Sequence, residues 1–470
     1  MKLLLRVAVL VALAGSLSAQ NVVIKPYVQP TESVATSEKD AKLITWVTDQ
    51  KPGEFTVQFG ATPSLGSSVR PERVTLNIST NHRYFKYIAT LADLPLDATI
   101  HYRVQLAGKT VRESSFATRK GAASPLRFVV VGDTADGKAG SRKIAFQMDR
   151  AKPDFMLIVG DIVYSRGRVS EYFSNFWGMY ANTPRSSPSN GAPFMQSVPV
   201  HAVLGNHDVG ASNLTSVPDG FGAFYFFHAP TNGPRLPEIA SPVNGSKEKL
   251  AAFKAGAGAA HQALPCYSFD NGPAHFLCLD GNRMFTVTNV ALRQWIEQDL
   301  TGSKAAWKFV FFHQPGFHSS VNHYNEQKMR LLSPLFEKCG VDIVFAGHVH
   351  NYQRSKPFKF APANPDRPDA KGIVAGRFTL DEKFDGKQIT QPQGVLYIVS
   401  GGGGAGLYNS EFTGYPETWV RTNAWAPFTV KFIADRHSFS LVELNAQQMT
   451  LRQLDDDGDE VDRFQITKHK

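Results

Sequence analysis

Cysteine is scarce in this chain: Cys266, Cys278 and Cys339 are the three in 470 residues. So few exclude a disulfide-stapled fold, and none has the spacing of a zinc site. An odd count permits at most one internal bridge. Cys266 and Cys278 flank a hairpin-like segment turning at Asn271-Gly272, where either a cross-strand disulfide or two buried free thiols would fit. Long apolar runs are also missing. No segment beyond the N-terminus supplies the ~20 consecutive apolar residues of a membrane helix, so no membrane span is expected. Charged residues make up 19 % of the chain and the formal charge is +9, yet no long Lys/Arg run or basic-aromatic interleaving occurs. The excess reads as a generally basic surface, and no nucleic-acid partner is expected. The run 401–404, four glycines, lacks the Lys-Ser/Thr ending of a nucleotide-binding loop and reads as a flexible loop after a strand, near the site. Asp455 to Asp459 lacks a glutamate at the twelfth position and reads as a turn between strands, not a calcium loop.

What is present divides the chain into parts. Lys2 and Arg6 precede the apolar stretch Val7 to Leu13 and the small residues Ala14, Gly15, Ser16, Ser18 and Ala19, the pattern of an export signal over residues 1–19. A secreted or periplasmic location is expected. The length exceeds one ordinary core. Residues 20–119 contain short β-branched and aromatic runs punctuated by Pro, Gly and Asp, including Leu43 to Thr48 with Trp46, Phe55 to Phe59 and Ile100 to Leu106. They predict a β-sandwich. Lys120 to Pro125 is small and polar and reads as a linker. From 126 to 470 the texture changes to apolar strands alternating with the helical patterns Arg142 to Arg150, Asn289 to Leu300 and Glu326 to Lys338, which predicts an α/β domain of packed sheets flanked by helices.

Five clusters in this second part carry ligand-type side chains directly after apolar runs: Gly132-Asp133-Thr134, Gly160-Asp161-Ile162-Val163-Tyr164, Gly205-Asn206-His207-Asp208, Val310-Phe311-Phe312-His313 and Gly347-His348-Val349-His350. At the C-terminal ends of strands in an α/β sheet, loops converge, so distant residues can meet. Asp133 and a Tyr164 phenolate are hard oxygen donors suited to ferric iron. His313, His348 and Asn206 suit a divalent ion such as zinc, ferrous iron or manganese. Asp161 can span two ions ~3.5–4 Å apart, and His350 can serve the neighbouring ion.

These five blocks, in this order, resemble the metallophosphoesterase superfamily and, within it, the purple acid phosphatases. Most of the superfamily carries Asp-x-His in the first block; this chain has Asp133-Thr134-Ala135, without the imidazole, and gains Tyr164 three residues after Asp161. The resemblance implies Asp133, Tyr164 and His350 on a ferric ion, Asp161 bridging, and Asn206, His313 and His348 on the divalent ion. Ala135 replaces the second glycine of the family's usual first block. Trp46 and the segment Leu94 to Val104 resemble the core tryptophan and tyrosine corner of fibronectin type III-like modules, which longer members of the family also carry.

The implied activity is hydrolysis of phosphate monoesters by a metal-held hydroxide, with His207 or His323 protonating the leaving group and Asp208 orienting His207. His318 competes with His323 on the same loop. An imidazole of ordinary pKa, about 6.5, is mostly protonated below that pH, so an acidic optimum is expected. Two other readings use the same residues: a phosphodiesterase or nucleotide hydrolase on the same centre, selected by rim loops at Ser165 to Asn190, Asn213 to Lys247 and Leu407 to Trp425, or an extracellular binding protein with a relic site. The completeness of the donor set argues against the relic.

Overall fold

The computed structural model describes residues 21–32, 38–49, 51–78, 82–408 and 426–468; the expected export signal lies outside them. The N-terminal part is all β. One four-stranded sheet orders Val22–Pro30, Lys39–Asp49, Tyr84–Pro95 and Glu72–Leu76, and a second orders Ser67–Val69, Phe55–Gly60, Thr99–Leu106 and Lys109–Ala117. Alternating side chains from both sheets fill the space between them. Trp46 is fully buried there, stacked on Tyr87 with ring centroids 5.3 Å apart and edge-on to Phe55 at 5.1 Å.

The tyrosine-corner expectation needs correction. Tyr102 is buried, but its hydroxyl donates to the Gln196 carbonyl at 2.8 Å, outside the sandwich. Two other buried side chains cross in the same way. Tyr27 donates to the Phe226 carbonyl at 2.8 Å, and Lys86 Nζ to the carbonyls of Tyr225 and Gly256 at 3.0 and 3.3 Å. Ile24, Tyr27, Val47, Leu76 and Ile78 belong to the same apolar cluster as Phe224 and Phe226. The expected linker is docked too: the Lys120 N–H donates to Asn271 Oδ1 at 2.8 Å.

The second part holds two large mixed sheets. Phe155–Val159 is apolar and buried along its whole length, and Leu126–Val131 is buried but for Arg127, as strands covered on both faces must be. Leu126–Val131 and Val200–Val203 flank Phe155–Val159 in parallel, and three antiparallel strands, Ser438–Leu444, Gln448–Asp455 and Glu460–Thr467, extend that sheet. In the other sheet Ala274–Leu279, Trp307–Phe311, Ile343–Ala346 and Leu396–Ser400 are parallel neighbours. The sheets meet through aromatic side chains: the Phe128 ring lies 5.2 Å from Phe276 and 5.5 Å from Phe309, both edge-on.

Helices Ala139–Ala151 and Val290–Gly302 occupy two of the expected stretches, the latter capped by Asn289 Oδ1 accepting from the Leu292 N–H at 3.1 Å. The third stretch is broken into a 3₁₀ turn, Lys328–Leu332, and a short helix, Ser333–Lys338, because Pro334 is tolerated only in a first turn. Cys266 pairs with Leu279 and Tyr267 with Cys278, so the two cysteines are one residue out of register on opposite faces; both are buried free thiols. Asp455 to Asp459 is a turn, as expected, with the Asp455 carboxylate accepting from the N–H groups of Asp457 and Asp459.

Candidate metal centre

All five clusters lie just beyond the C-terminal ends of parallel strands, at one edge of the stacked sheets. The loops are tied together by backbone. The Asp133 N–H donates to the Gly160 carbonyl at 3.0 Å, Gly132 to Ser400 at 2.8 Å and Gly347 to His313 at 2.9 Å. Asp133, Asp161 and His348 have φ of +58°, +48° and +67°. Residues other than glycine seldom adopt this region, and such backbone is held where the surroundings over-determine it.

Two donor groups result, sharing Asp161. In the first, the Tyr164 hydroxyl lies 3.0 Å from Asp133 Oδ1, 3.2 Å from Asp161 Oδ2 and 3.1 Å from His350 Nε2, and His350 Nε2 is 3.3 Å from Asp133 Oδ1. In the second, His313 Nε2 stands 3.2 Å from Asp161 Oδ2, 3.1 Å from Asn206 Oδ1 and 3.2 Å from His348 Nδ1. The tautomers are set from outside. His313 Nδ1 lies 2.8 Å from the Val159 carbonyl and His350 Nδ1 2.7 Å from the Gly406 carbonyl; a carbonyl only accepts, so both Nδ1 atoms carry hydrogen and both Nε2 atoms face inward.

The electrostatics suit a cation at these donors. Asp133 and Asp161 are buried side by side. Burial, together with these two carboxylates, pushes the Tyr164 phenol well above its ordinary value. Burial alone would lower His313, but Asp161 and Asp133 raise it to about 10. Protons thus occupy donor atoms that a cation would claim.

Small residues make the packing possible. A Cβ on Gly205 would overlap Asp161 Oδ1, and one on Gly401 would lie 2.8 Å from Asp133 Oδ2 while overlapping the Val349 carbonyl. The glycine run is therefore not a flexible loop. It is packed against the first block, with Gly403 donating to the Gly132 carbonyl at 3.0 Å and Ala405 to the Asp133 carbonyl at 2.9 Å.

Around the donors, His207 is held by its backbone N–H on Asp161 Oδ1 at 2.9 Å and by Nδ1 on the Ser165 carbonyl at 2.6 Å. Its ring lies 4.5 Å from Tyr164, and a third of the side chain is exposed. The expected orienting role of Asp208 is not seen. That carboxylate is fully buried and accepts from the N–H groups of Gly205 at 2.8 Å and Ile162 at 3.1 Å, bracing two ligand loops; the Ser165 carbonyl has taken its place at His207. His323 faces His348 with ring centroids 3.9 Å apart, whereas His318 is buried and held down to about 3, chiefly by that burial. Sequence reasoning missed Glu326, which lies 2.9 Å from His323 Nδ1 and 3.2 Å from His348 Nε2. Its place three residues after His323 was a usable signal. Tyr408, whose ring stacks on His350 at 4.0 Å, left none. Of the expected rim, 409–425 lies outside the described residues.

Residues 126–352 match the calcineurin-like phosphoesterase family. They form a calcineurin-like phosphoesterase domain. Similar proteins include the Fe(3+)-Zn(2+) purple acid phosphatase 12 of Arabidopsis thaliana, 26 % identical over 333 residues that cover 68 % of this chain and 63 % of that protein. Purple acid phosphatase 18 of the same plant is 25 % identical over 337 residues, covering 69 % and 66 %. The chain thus spans just under two thirds of the length of these relatives. Among solved structures, purple acid phosphatase PPD1 from yellow lupin seeds shares the fold with a TM-score of 0.62 at 18 % identity, over 94 % of this chain and 74 % of that one. PhoD does so with a TM-score of 0.55 at 11 % identity, over 96 % and 94 %. The two sheets run on past the matched segment, since Leu396–Ser400 pairs with Ile343–Ala346 and Ser438–Leu444 with Leu126–Val131.

Proposed function

We propose that this chain is an exported binuclear-metal acid phosphatase acting on phosphate monoesters. The observation that carries the reading is the pair of donor groups sharing Asp161, one of which includes a phenol. Asp133, Tyr164 and His350 would hold a ferric ion, Asp161 would bridge, and Asn206, His313 and His348 would hold zinc, ferrous iron or manganese. Such ions supply Lewis acidity toward phosphoryl oxygens and acidify a coordinated water.

The chain's own groups supply the rest. His207 has its Nδ1–H committed to the Ser165 carbonyl, which leaves Nε2 as the working atom. Protonated there, it donates to the departing alkoxide, a role that favours acid pH. His323, steadied by Glu326, is placed beside the divalent donor set and suits binding of a phosphoryl oxygen or a second proton donor. Asp208 keeps Asp161 and Asn206 in position through their loops, so we assign it a positioning role.

Export rests on the leader pattern of residues 1–19. A fibronectin type III-like identity for the sandwich is supported by its strand order and by Trp46, with packing support as its role. Metal analysis, a visible spectrum and a panel of chromogenic mono- and diesters across pH test the proposal together. Two metal equivalents and faster monoester turnover below neutrality are expected. A metal-loaded protein inert on every monoester would overturn it.

A further inference from the structure

A cavity of about 1010 Å³ reaches the divalent donor set at Asn206, and Glu326, which lies 3.2 Å from His348 Nε2, lines it too. A phosphoryl group needs a small part of that space; this volume is at the upper end of what small-molecule sites use. Its wall is formed by segments 281–284 and 368–372, neither of which contributes to the metal centre.

The wall has two kinds of group to offer a ligand. Met284 is 51 % exposed, one of few large apolar side chains so presented, and Pro242 and Pro368 line the same space. Two cations stand with it. Arg283 and the Lys371 ammonium are exposed and make no side-chain hydrogen bond or ion pair among the described residues. The other charges facing the cavity are already engaged. Lys328 donates to the carbonyls of Asn282 and Phe285, Glu326 is bound to His323 and His348, and Asp369 accepts from the N–H groups of Lys371 and Ile373. Lining charges sum to positive, with Arg283, Lys328 and Lys371 against Glu326 and Asp369, and the two side chains free to turn to a ligand are both cations beside an apolar surface.

Resting on the phosphatase reading, we propose that this cavity receives the leaving group, and that Arg283 and Lys371 select alcohols carrying a second anionic group, carboxylate or phosphate. The reactive phosphoryl group sits at the metal donors, the body of the alcohol lies along Met284, and its second anion meets the two cations. Arg283 can pair with either anion through two parallel N–H groups.

The test compares kcat/KM for phenyl phosphate with that for its analogues bearing a para-carboxylate or a para-phosphate, at low and high salt. The wild-type protein is expected to prefer the doubly anionic substrates, with the preference falling as salt rises. Arg283→Ala and Lys371→Ala should each lower the ratio about three- to tenfold, through KM, and the double charge reversal Arg283→Glu/Lys371→Glu should invert it. The two analogues separate a carboxylate from a phosphate preference. A ratio near one in the wild-type protein, or one unmoved by the charge reversal, overturns the proposal and leaves the phosphatase reading standing. A metal-loaded wild-type protein that hydrolyses none of the three overturns both.

Discussion

The Tyr164 hydroxyl stands 3.0 Å from Asp133 Oδ1, although the two residues follow different strands 31 positions apart. Without a cation the phenol is held far above its ordinary value by burial and by Asp133 and Asp161, and so stays protonated. A trivalent ion reverses that balance. Loaded with iron, the protein is expected to show a visible tyrosinate-to-iron band, and Tyr164→Phe should lose it. A coloured Tyr164→Phe protein would sink the assignment.

Removing the ions should also be visible in stability. Asp133 and Asp161 are buried together, and a ligand that binds only the folded state stabilises it by about 2.7 kcal/mol at a hundred times its Kd. Chelation is expected to lower the melting temperature and restored metal to recover it. Identical melting curves would show that the donors hold nothing.

His207→Ala should keep its metal content, because the residue touches Asp161 through its backbone N–H. Turnover of alkyl phosphates is expected to fall about 10²–10⁴-fold, the usual worth of a general acid. p-Nitrophenyl phosphate, whose leaving group hardly needs a proton, should lose much less. Equal losses on the two substrates would point away from proton donation.

Much of this centre was legible because its signal is local. An apolar run ending in Gly-Asp announces both a strand and the residue at its tip, which is why Asp133 and Asp161 could be placed at strand ends before the strands were seen. What the sequence withheld depends on partners far along the chain. Asp208 sits next to His207 but turns toward Gly205 and Ile162, and nothing in its neighbours foretells that. The strand Tyr352–Ser355 reads as polar, yet it is buried because Arg354 pairs with Asp462 at 2.7 Å, 108 residues away. Gly401 and Gly403 looked like freedom and are there for close approach.

That close approach gives a further expectation. Gly401→Ala places a methyl against Asp133 Oδ2 and the Val349 carbonyl, backbone that has little room to yield. A loss of order 1–3 kcal/mol is expected from overpacking, with weaker metal binding at the tyrosine side. Calorimetry and metal titration would measure the two effects, and wild-type values for both would refute the packing argument.

Away from the centre, His275 bridges Asp270 at 2.7 Å and Asp299 at 2.8 Å. Burial alone would lower its pKa, but the two hydrogen bonds prevail and push it up to about 9. A folded value above the ordinary ~6.5 favours the protonated folded state, so its contribution is complete below pH ~6.5 and is lost as pH rises through 9. At about 1.36 kcal/mol per pKa unit the size is at most of order 3 kcal/mol, less what solvent screens at the exposed Asp270. Denaturant midpoints should fall across that window, and His275→Gln should flatten the fall; a slope unchanged in the variant would assign it elsewhere.

The hydroxyls of Tyr27 and Tyr102 and the ammonium of Lys86 all find their acceptors across the boundary between the sandwich and the phosphoesterase domain. The two parts are distinct in topology and share one apolar cluster. A chain cut at residues 120–125 would strip the carbonyls of Gln196, Tyr225 and Phe226 of their donors and bare the apolar surface around Phe224. The two parts are therefore expected to melt in one transition, and a sandwich moved to another protein is expected to need this partner surface with it.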